Sequence, residues 1–228
     1  MPYSTVCDNC QGQFLDLVHR MRSFKQRRYF LGKERKMPIW SIPQAMSTDN
    51  YTTQAPTGDQ FILICSIYLI EGSMGLMGWN ENMRMTIELK NAAKTIANVL
   101  PTIARFLKYP QSFYPLSKTN PYPKDYFIAN LWIDPENNSV LLIAANLGSQ
   151  EVSWTVNLPK LPFSSDSEPK IRQLYRSNGS TEVQIFGAEK DQLKVNGKLN
   201  SYGFGAWEFA FGRRLQGEGI QENITTSK

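Results

Sequence analysis

The sequence contains few of the residues that most often bind metals or form cross-links. Among its 228 residues there are one histidine, His19, and three cysteines. Cys7 and Cys10 form a CxxC pair, but a zinc site of this type needs a second pair of ligands, and none follows. We therefore predict no metal site, and the pair is compatible with a disulfide or with two free thiols. Cys65 lies in an apolar run, which indicates a small core residue.

A long apolar segment is also missing. The longest, FILICSIYLI at 61–70, is about half the length of roughly twenty residues that a membrane-spanning helix needs. The N-terminal MPYSTVCDNCQGQ lacks the basic and apolar segments of a signal peptide. Asn-x-Ser/Thr sequons, which suit a secreted surface, occur at Asn50, Asn137, Asn178 and Asn223. The sequence thus predicts no membrane helix and leaves the compartment open, including secretion of a longer parent protein.

Acidic residues are fewer than basic ones, and the net charge is +5. The excess lies mainly in residues 20–36, RMRSFKQRRYFLGKERK, which could contact phosphate groups or acidic polymers. No zinc-finger spacing, aromatic RNA-binding box or glycine-rich phosphate loop accompanies this segment, so nucleic acid is not a predicted partner. A solvated helix end and loop is the favoured interpretation. The alternative is a basic surface that binds an acidic partner through Arg27, Arg28 and Lys33.

The first half of the chain alternates between helical and strand patterns. An amphipathic helix is predicted at 11–24, with one apolar side formed by Phe14, Leu15, Val18 and Met21. PIWSI, beginning at Pro38, and SMGLMGW at 73–79 are continuous runs of apolar and small residues. Such runs are typical of strands buried on both faces of a parallel sheet. In this interpretation Trp40 belongs to the core.

Two further helices complete the pattern of this half. One is predicted from Asp59 to Glu71, because Pro56 and Thr57 signal its start and Gly72 its end. The other occupies 85–107, where Pro101 ends or kinks the helix or opens a final turn. The order helix, strand, helix, strand, helix predicts part of a parallel α/β architecture.

The second half of the chain has a different period. Prolines together with Ser, Thr and Asn at 111–125 indicate a linker. Residues 126–212 then show seven short segments of alternating or apolar character separated by turn signals, which predicts an antiparallel β-sandwich. Trp132, Trp154 and Trp207 fall within these segments and are predicted to fill its core. Residues 213–228 form a polar tail.

The predicted α/β region, residues 1–110, is incomplete as a sheet. Two parallel strands with three helices leave strand edges with unpaired backbone amides and carbonyls. A (β/α) barrel needs eight strands and about 250 residues, and only about half that length precedes the linker. We therefore expect another part of a longer protein, or another subunit, to supply the missing barrel half.

The segments KMPIWSIPQAM, EGSMGLMGWN and the C-terminal YGFGAWEFAF together resemble the end of a glycoside hydrolase with a (β/α)8 barrel. The likeness extends over residues 30–212. It implies that the two strands are the seventh and eighth of the barrel and that the sandwich is the accessory domain that commonly follows. The fold expected is therefore α/β plus all-β: an incomplete (β/α) barrel end followed by an antiparallel β-sandwich. The activity implied is hydrolysis of O-glycosidic bonds in carbohydrates, without a cofactor.

The resemblance directs attention to the carboxyl ends of the two strands, where barrel enzymes place their catalytic groups. Many retaining relatives carry a nucleophilic glutamate after the seventh strand, whereas Gln44 occupies the comparable position in this chain, and an amide cannot attack an anomeric carbon. Glu81 follows the eighth strand and is the one weak candidate for a catalytic acid. Gln44, Trp79 and Asn80 are the predicted sugar-binding residues.

Glycoside hydrolysis generally requires two carboxylates, and the two strand ends supply at most one. The chain by itself is therefore predicted to lack the catalytic pair, although its complete parent would be a hydrolase. The alternative is a non-catalytic module that binds carbohydrate or another protein. Glu71, at the end of an apolar helix, is predicted to be structural.

Overall fold

The structure, a computed structural model, describes residues 12–34, 36–45, 55–78, 85–113, 126–159, 161–162, 168–180, 183–186 and 193–212. Over these ranges the chain forms helices, a short parallel pair of strands and two antiparallel sheets. The mixture of helices followed by antiparallel strands agrees with the expected class. The predicted tail, 213–228, lies outside the described residues.

Helix α1 (Phe14–Phe30) buries the predicted apolar side through Phe14, Val18 and Met21. It extends beyond the predicted end near residue 24 because much of the basic segment is helical. Arg27 and Arg28 lie in its last turn, where positive charge interacts favourably with the partial negative charge of the helix carboxyl end. The basic segment is thus a helix end followed by a loop, as favoured from the sequence.

Helix α2 (Gly58–Ile70) begins at a capping box. The hydroxyl of Thr57 accepts a hydrogen bond from the Gln60 amide at 3.2 Å, and the Gln60 side chain accepts one from the Thr57 amide at 3.0 Å. Gly72, with φ of +93°, follows the helix end in the left-handed region that glycine tolerates. Nearly all of α2 is buried, because it packs against α1, the third helix and a sheet.

Helix α3 (Ile87–Leu107) starts at Thr86, whose hydroxyl accepts a hydrogen bond from the Leu89 amide. Pro101 lies inside this helix and does not end it. Proline removes one backbone donor from the helix interior, but the helix continues because Ile103 and Phe106, beyond the proline, are fully buried against the core. Tertiary packing at this point outweighs the local preference to stop.

Strands β1 (Trp40–Ser41) and β2 (Gly75–Leu76) pair in parallel, with Trp40 opposite Gly75. We call this pair the ribbon. Helix α2 connects its two strands, as the sequence predicts. The strands are much shorter than the predicted segments, and backbone bonds from Met74 to Ile39 at 2.9 Å and from Met77 to Ser41 at 3.0 Å extend the pairing beyond them.

The remaining strands form two antiparallel sheets. Their bounds are β3 (Gln111–Phe113), β4 (Phe127–Asp134), β5 (Ser139–Asn146), β6 (Val152–Asn157), β7 (Lys170–Arg176), β8 (Gln184–Phe186), β9 (Lys194–Leu199) and β10 (Phe204–Ala210). The five-stranded sheet has the order β3-β4-β5-β10-β7, and the three-stranded sheet has the order β6-β9-β8. All seven predicted strands are confirmed. The eighth, β3, occupies the first residues of the predicted linker and pairs with β4, while 114–125 lie outside the described residues.

The five-stranded sheet separates two apolar cores. Alternate residues of β5 point to opposite sides: Leu141 and Ile143 join the core beneath the helices, whereas Val140 and Leu142 join the core between the two sheets. Trp154 and Trp207 pack in the core between the sheets, and Trp132 packs under the helices, so all three predicted core tryptophans are buried. The core beneath the helices contains residues from both predicted regions of the chain, 1–110 and 126–212.

Candidate functional site

Within the described ranges, helices cover one face of the ribbon and leave the other face bare. From residue 40 to residue 45 exposure alternates, as expected of an extended chain with cover on one side. Ser41, Pro43 and Ala45 are buried toward the helices, and the Ser41 hydroxyl lies 3.5 Å from the Met21 sulfur of α1. The opposite face carries Trp40, Ile42, Gln44, Gly75 and Met77. We call these five residues the bare face.

Trp40 is exposed, contrary to the prediction that it belongs to the core. Its relative exposure is 63%, and Met77 on the neighbouring strand is 55% exposed. The prediction is wrong because it assumed cover on both faces of the sheet, and the described residues cover one. One side of the indole lies directly on Gly75, where a Cβ atom would come within 2.6 Å of the ring. The Trp40 indole can therefore lie across the ribbon because its neighbour has no side chain.

Gln44 lies at the carboxyl end of β1, on the bare face, and is half-buried. Its amide offers both a donor and an acceptor, so it can hydrogen-bond a sugar hydroxyl. Trp79, Asn80 and Glu81, the other predicted site residues, lie in 79–84, outside the described residues. Within the described part of the bare face there is no carboxylate. Gln44 therefore lies on the same face of the ribbon as Trp40, which the sequence had assigned to the core.

An ion-pair cluster joins the middle of α1 to the end of α2. The Glu71 carboxylate, 2% exposed, accepts from Arg22 at 3.1 Å and from Lys25 at 2.9 Å. Glu71 follows the end of α2, and its partners lie in the middle and second half of α1. Phe14 and Gln60, in the first turns of α1 and α2, line one cleft. The two helices therefore run in the same direction. Glu71 thus has the structural role predicted for it. The starts of both helices therefore lie at the same end of the layer as Gln44.

A second cluster of buried acids joins α3 to the five-stranded sheet. Arg105 of α3 pairs with Asp134 at 3.4 Å and with Glu208, which also binds Arg172. Sequence reasoning did not find this cluster, since its members lie on different elements far apart in the chain. Two carboxylates near one another are also what a glycoside hydrolase uses, one of them as a proton donor and the other in its ionised form.

The environment of Asp134 differs from that of a catalytic acid. Burial by itself would raise the pKa of Asp134, but hydrogen bonds from Asn137 and Tyr109, together with the charge of Arg105, outweigh it and lower the pKa below its ordinary value. A general acid in glycoside hydrolysis needs a raised pKa, so that it holds a proton to donate. Asp134 therefore does not suit the role of proton donor, and its contacts are structural. It accepts hydrogen bonds from Asn137 in the β4–β5 turn and from Tyr109 after α3, and it forms an ion pair with Arg105 of α3.

Cys65 and the possible metal ligands also bear on the chemistry of the site. Burial raises the pKa of the Cys65 thiol to about 12, so the thiol stays protonated and is no nucleophile. The predicted core position of Cys65 is confirmed. Over the described ranges, the structure holds no group of three or more His, Cys, Asp or Glu side chains with a metal-binding arrangement. In the same ranges, every helix is too short or too polar to span a bilayer.

No protein-family model matches the chain, and no curated protein matches it either. Solved structures do resemble it. The chain superposes on an α-amylase from Anoxybacillus with a TM-score of 0.51 and 11% identity, covering 89% of this chain and 47% of that one. The fold of this chain is similar to that of part of this α-amylase.

Further similar structures are the α-amylase of H. orenii and a debranching enzyme from Nostoc punctiforme. The first has 10% identity and a TM-score of 0.47, covering 86% of this chain and 47% of that chain. The second has 10% identity and a TM-score of 0.48, covering 82% and 39%. The chain thus spans about half the length, or less, of the solved structures that it matches.

Proposed function

We propose that this chain is part of a glycoside-hydrolase-like protein that acts on O-glycosidic bonds in carbohydrates. In this proposal the ribbon and helices are the end of a (β/α) barrel, and the two sheets are the β-sandwich that follows it. The observation that carries the proposal is the bare face. The parallel strands of the ribbon, joined by a helix, are covered by helices on one side, and no other described residues cover the opposite side. The likeness to half of an α-amylase supports it.

The direction of the ribbon supports a role for its carboxyl end in binding sugar. In a barrel the inner face of each strand points to the axis, and the loops after the strands build the active site. The bare face corresponds to that inner face, and Gln44 to the rim of the active site. Gln44, Trp79 and Asn80 would contact the sugar, and Glu81 is a weak candidate for one catalytic acid. No metal or cofactor takes part in the proposed reaction.

The chain by itself would not be an active hydrolase. The described part of the bare face holds an amide and apolar groups in place of carboxylates, and the reaction needs two acids. The remaining strands and acids would come from the rest of a longer protein or from another subunit. The presence of Gln44 where an acid is expected also favours a second candidate function, a non-catalytic carbohydrate-binding or protein-interaction module.

The test compares this chain with the full product of its gene. The reading frame upstream of Met1 is mapped on the transcript, and both products are assayed for release of reducing sugar from starch, xylan and cellulose. We expect hydrolysis from the full product and none from the chain. A frame that closes directly before Met1, with no turnover by any product, would contradict the hydrolase and favour the module.

Gln44 can be tested in the same full product. Gln44→Ala should raise KM, because it removes a contact with the sugar. Asn98→Ala, which removes another amide side chain at an exposed position on α3, serves as a control that leaves the bare face unchanged. Equal kinetics for Gln44→Ala and the unchanged protein would place Gln44 away from the substrate.

A further inference from the structure

A cleft of about 580 Å³ lies outside the bare face, where the start of α1 meets the sheets. The loop between β5 and β6, residues 147–151, forms one wall, and Tyr202, in the loop between β9 and β10, contributes to another. Tyr126, which precedes β4, and Gln60, in the first turn of α2, also line it. None of the five bare-face residues lines this cleft.

The walls of the cleft are held by one buried side chain. Asn146, 1% exposed, donates hydrogen bonds to the carbonyl of Gln150 at 2.6 Å and to that of Asn200 at 2.8 Å. Its carbonyl oxygen accepts one from the amide of Gly148 at 3.0 Å. The Tyr202 amide in turn donates to the Gly148 carbonyl at 2.9 Å. Asn146 thus connects the β5–β6 loop to the β9–β10 loop and holds them at a fixed separation. Ligand-binding sites are usually preformed in this way.

Two tyrosines present ring surface at the cleft. Tyr126 is 38% exposed and Tyr202 is 45% exposed, so part of each side chain remains accessible to a ligand. Phe14 lies under Tyr202, with ring centroids 5.6 Å apart, and limits its orientation. Gly148 faces Tyr126, where a Cβ atom would lie 3.4 Å from the tyrosine. Flat apolar rings with a polar tip at an open cleft suit a ligand with both apolar faces and hydroxyl groups.

The polar lining of the cleft is mostly uncharged. Among its described residues, Glu151 is the one charged side chain, and it pairs with Lys198 at 3.0 Å. Gln60 and Gln150 add amides, which both donate and accept hydrogen bonds. This chemistry does not favour phosphate, which requires positive charge, or a metal ion, which requires several carboxylates. It suits a neutral polyhydroxyl molecule.

The cleft lies at the same end of the molecule as Gln44. Because α1 and α2 run in the same direction, and α2 returns from the carboxyl end of β1 to allow parallel pairing, the starts of both helices lie at that end. Gln60 and Phe14 line the cleft from those two helix starts. A linear oligosaccharide bound in the cleft could thus extend toward the proposed active site at Gln44.

We propose that this cleft is an accessory binding site for a neutral oligosaccharide, separate from the bare face. The class of ligand rests on the proposed function, whereas the location of the site rests on the residues that line the cleft. Tyr126 and Tyr202 provide the ring surfaces, while Gln150 and Gln60 bind hydroxyl groups.

The experiment measures binding of maltoheptaose, xylohexaose and cellohexaose to the chain by isothermal titration calorimetry. We expect at least one of the three to bind at one site. Tyr202→Asn should weaken this binding about tenfold or more, since it removes ring contact, and asparagine tolerates the backbone φ of +52° at this position. Gln150→Ala, an exposed position whose backbone carbonyl remains, should weaken it by a smaller factor.

Tyr29→Ala is the matched control, because Tyr29 is 69% exposed on α1 and does not line the cleft. It should bind as the unchanged protein does, and thermal melting checks that each variant is folded. No heat with any of the three saccharides, or full affinity in folded Tyr202→Asn and Gln150→Ala variants, would overturn the accessory site.

Failure of this site is distinguishable from failure of the proposed function. Binding that survives Tyr202→Asn and is lost in Gln44→Ala would overturn the cleft and support the bare face. Hydrolysis by the full product without binding in the cleft would likewise overturn the cleft alone. Binding in the cleft without hydrolysis by any product would support the cleft and favour the non-catalytic module.

Discussion

The ribbon and the five-stranded sheet differ in what covers them. All eight residues of β5 are buried, because helices pack on one side of that sheet and a second sheet packs on the other. Among the residues that the structure describes, helices cover one side of the ribbon, and Trp40 and Met77 are exposed on the other. The five-stranded sheet is therefore covered on both faces, whereas the described part of the chain covers one face of the ribbon. Variants that act on both regions in parallel can test this comparison.

The largest effect is expected from removing a tryptophan. Trp207 is 1% exposed and lies 5.8 Å from Trp154, ring to ring. Trp207→Ala should lower the free energy of unfolding by about 3–5 kcal/mol, through lost burial and a cavity. Trp40→Ala, in contrast, should lower it by less than about 1 kcal/mol, because most of its surface is already in water. Urea unfolding followed by circular dichroism measures both, and equal losses would mean that Trp40 is covered.

The next largest loss of stability is expected in the ion-pair cluster of Arg105, Asp134 and Glu208, which joins α3 to the five-stranded sheet. Asp134→Asn should cost about 2 kcal/mol near neutral pH, since it leaves the partly buried Arg105 without one of its anions. Glu136→Gln, on the exposed side of the same turn, is the control and should leave the urea midpoint close to that of the unchanged protein.

The same variant tests a dependence on pH. Since the pKa of Asp134 is lower in the folded than in the unfolded protein, its carboxylate stabilises the fold above about pH 4. This contribution is lost as the pH falls through the folded-state pKa. Urea midpoints measured between pH 7 and pH 2.5 should therefore converge for Asp134→Asn and the unchanged protein at the acid end. A constant gap between them at all pH values would show that the ionised carboxylate is not the source of the stabilisation.

Two glycines sharpen the comparison further. A Cβ atom at Gly75 would lie 2.6 Å from the exposed Trp40 ring, and one at Gly197 would lie 2.7 Å from the buried Trp154 ring. Gly197→Ala should cost about 1–3 kcal/mol, because Trp154 is enclosed and the core must distort. Gly75→Ala should cost less than half as much, because Trp40 can swing into solvent, and should shift the tryptophan emission. Equal costs would show that the Trp40 ring is held in place.

The smallest change in stability is expected on the bare face. Met77→Lys should leave the free energy of unfolding within about 0.5 kcal/mol, as is usual for a surface position. The same change should reduce the binding of the apolar dye ANS and any self-association seen by light scattering, because the exposed apolar patch is interrupted. Ile171→Lys, at a 43% exposed position on β7, is the matched control. An equal decrease in ANS binding and self-association for the two variants would show that the bare face is no more apolar than other exposed positions.

Much of the fold could be predicted from local patterns. Pro56 and Thr57 indicated the start of α2 and Gly72 its end, and period-two alternation indicated the seven predicted strands. Prediction was less successful for Trp40, because an apolar strand has the same local pattern whether its second face is covered or open. It also missed β3, whose three residues lie among turn-forming residues and are held in place by pairing with β4.

The candidate site was only partly accessible to prediction. Gln44 was predicted from its place after an apolar strand, and the structure puts it at the end of the bare face, while its contact with a sugar stays a prediction. The cleft of Tyr126 and Tyr202 could not be found, because it depends on Asn146 joining two loops that are distant in the chain. The Arg105 cluster was missed for the same reason.

The amino-acid sequence by itself determined the identity and order of most helices and strands, since capping, periodicity and turn chemistry act over a few residues. The tertiary structure alone decided which faces are covered, which carboxylates are paired and where two tyrosines meet across a cleft. These outcomes depend on contacts between elements far apart in the chain, whose energies come from burial and geometry that no short segment contains.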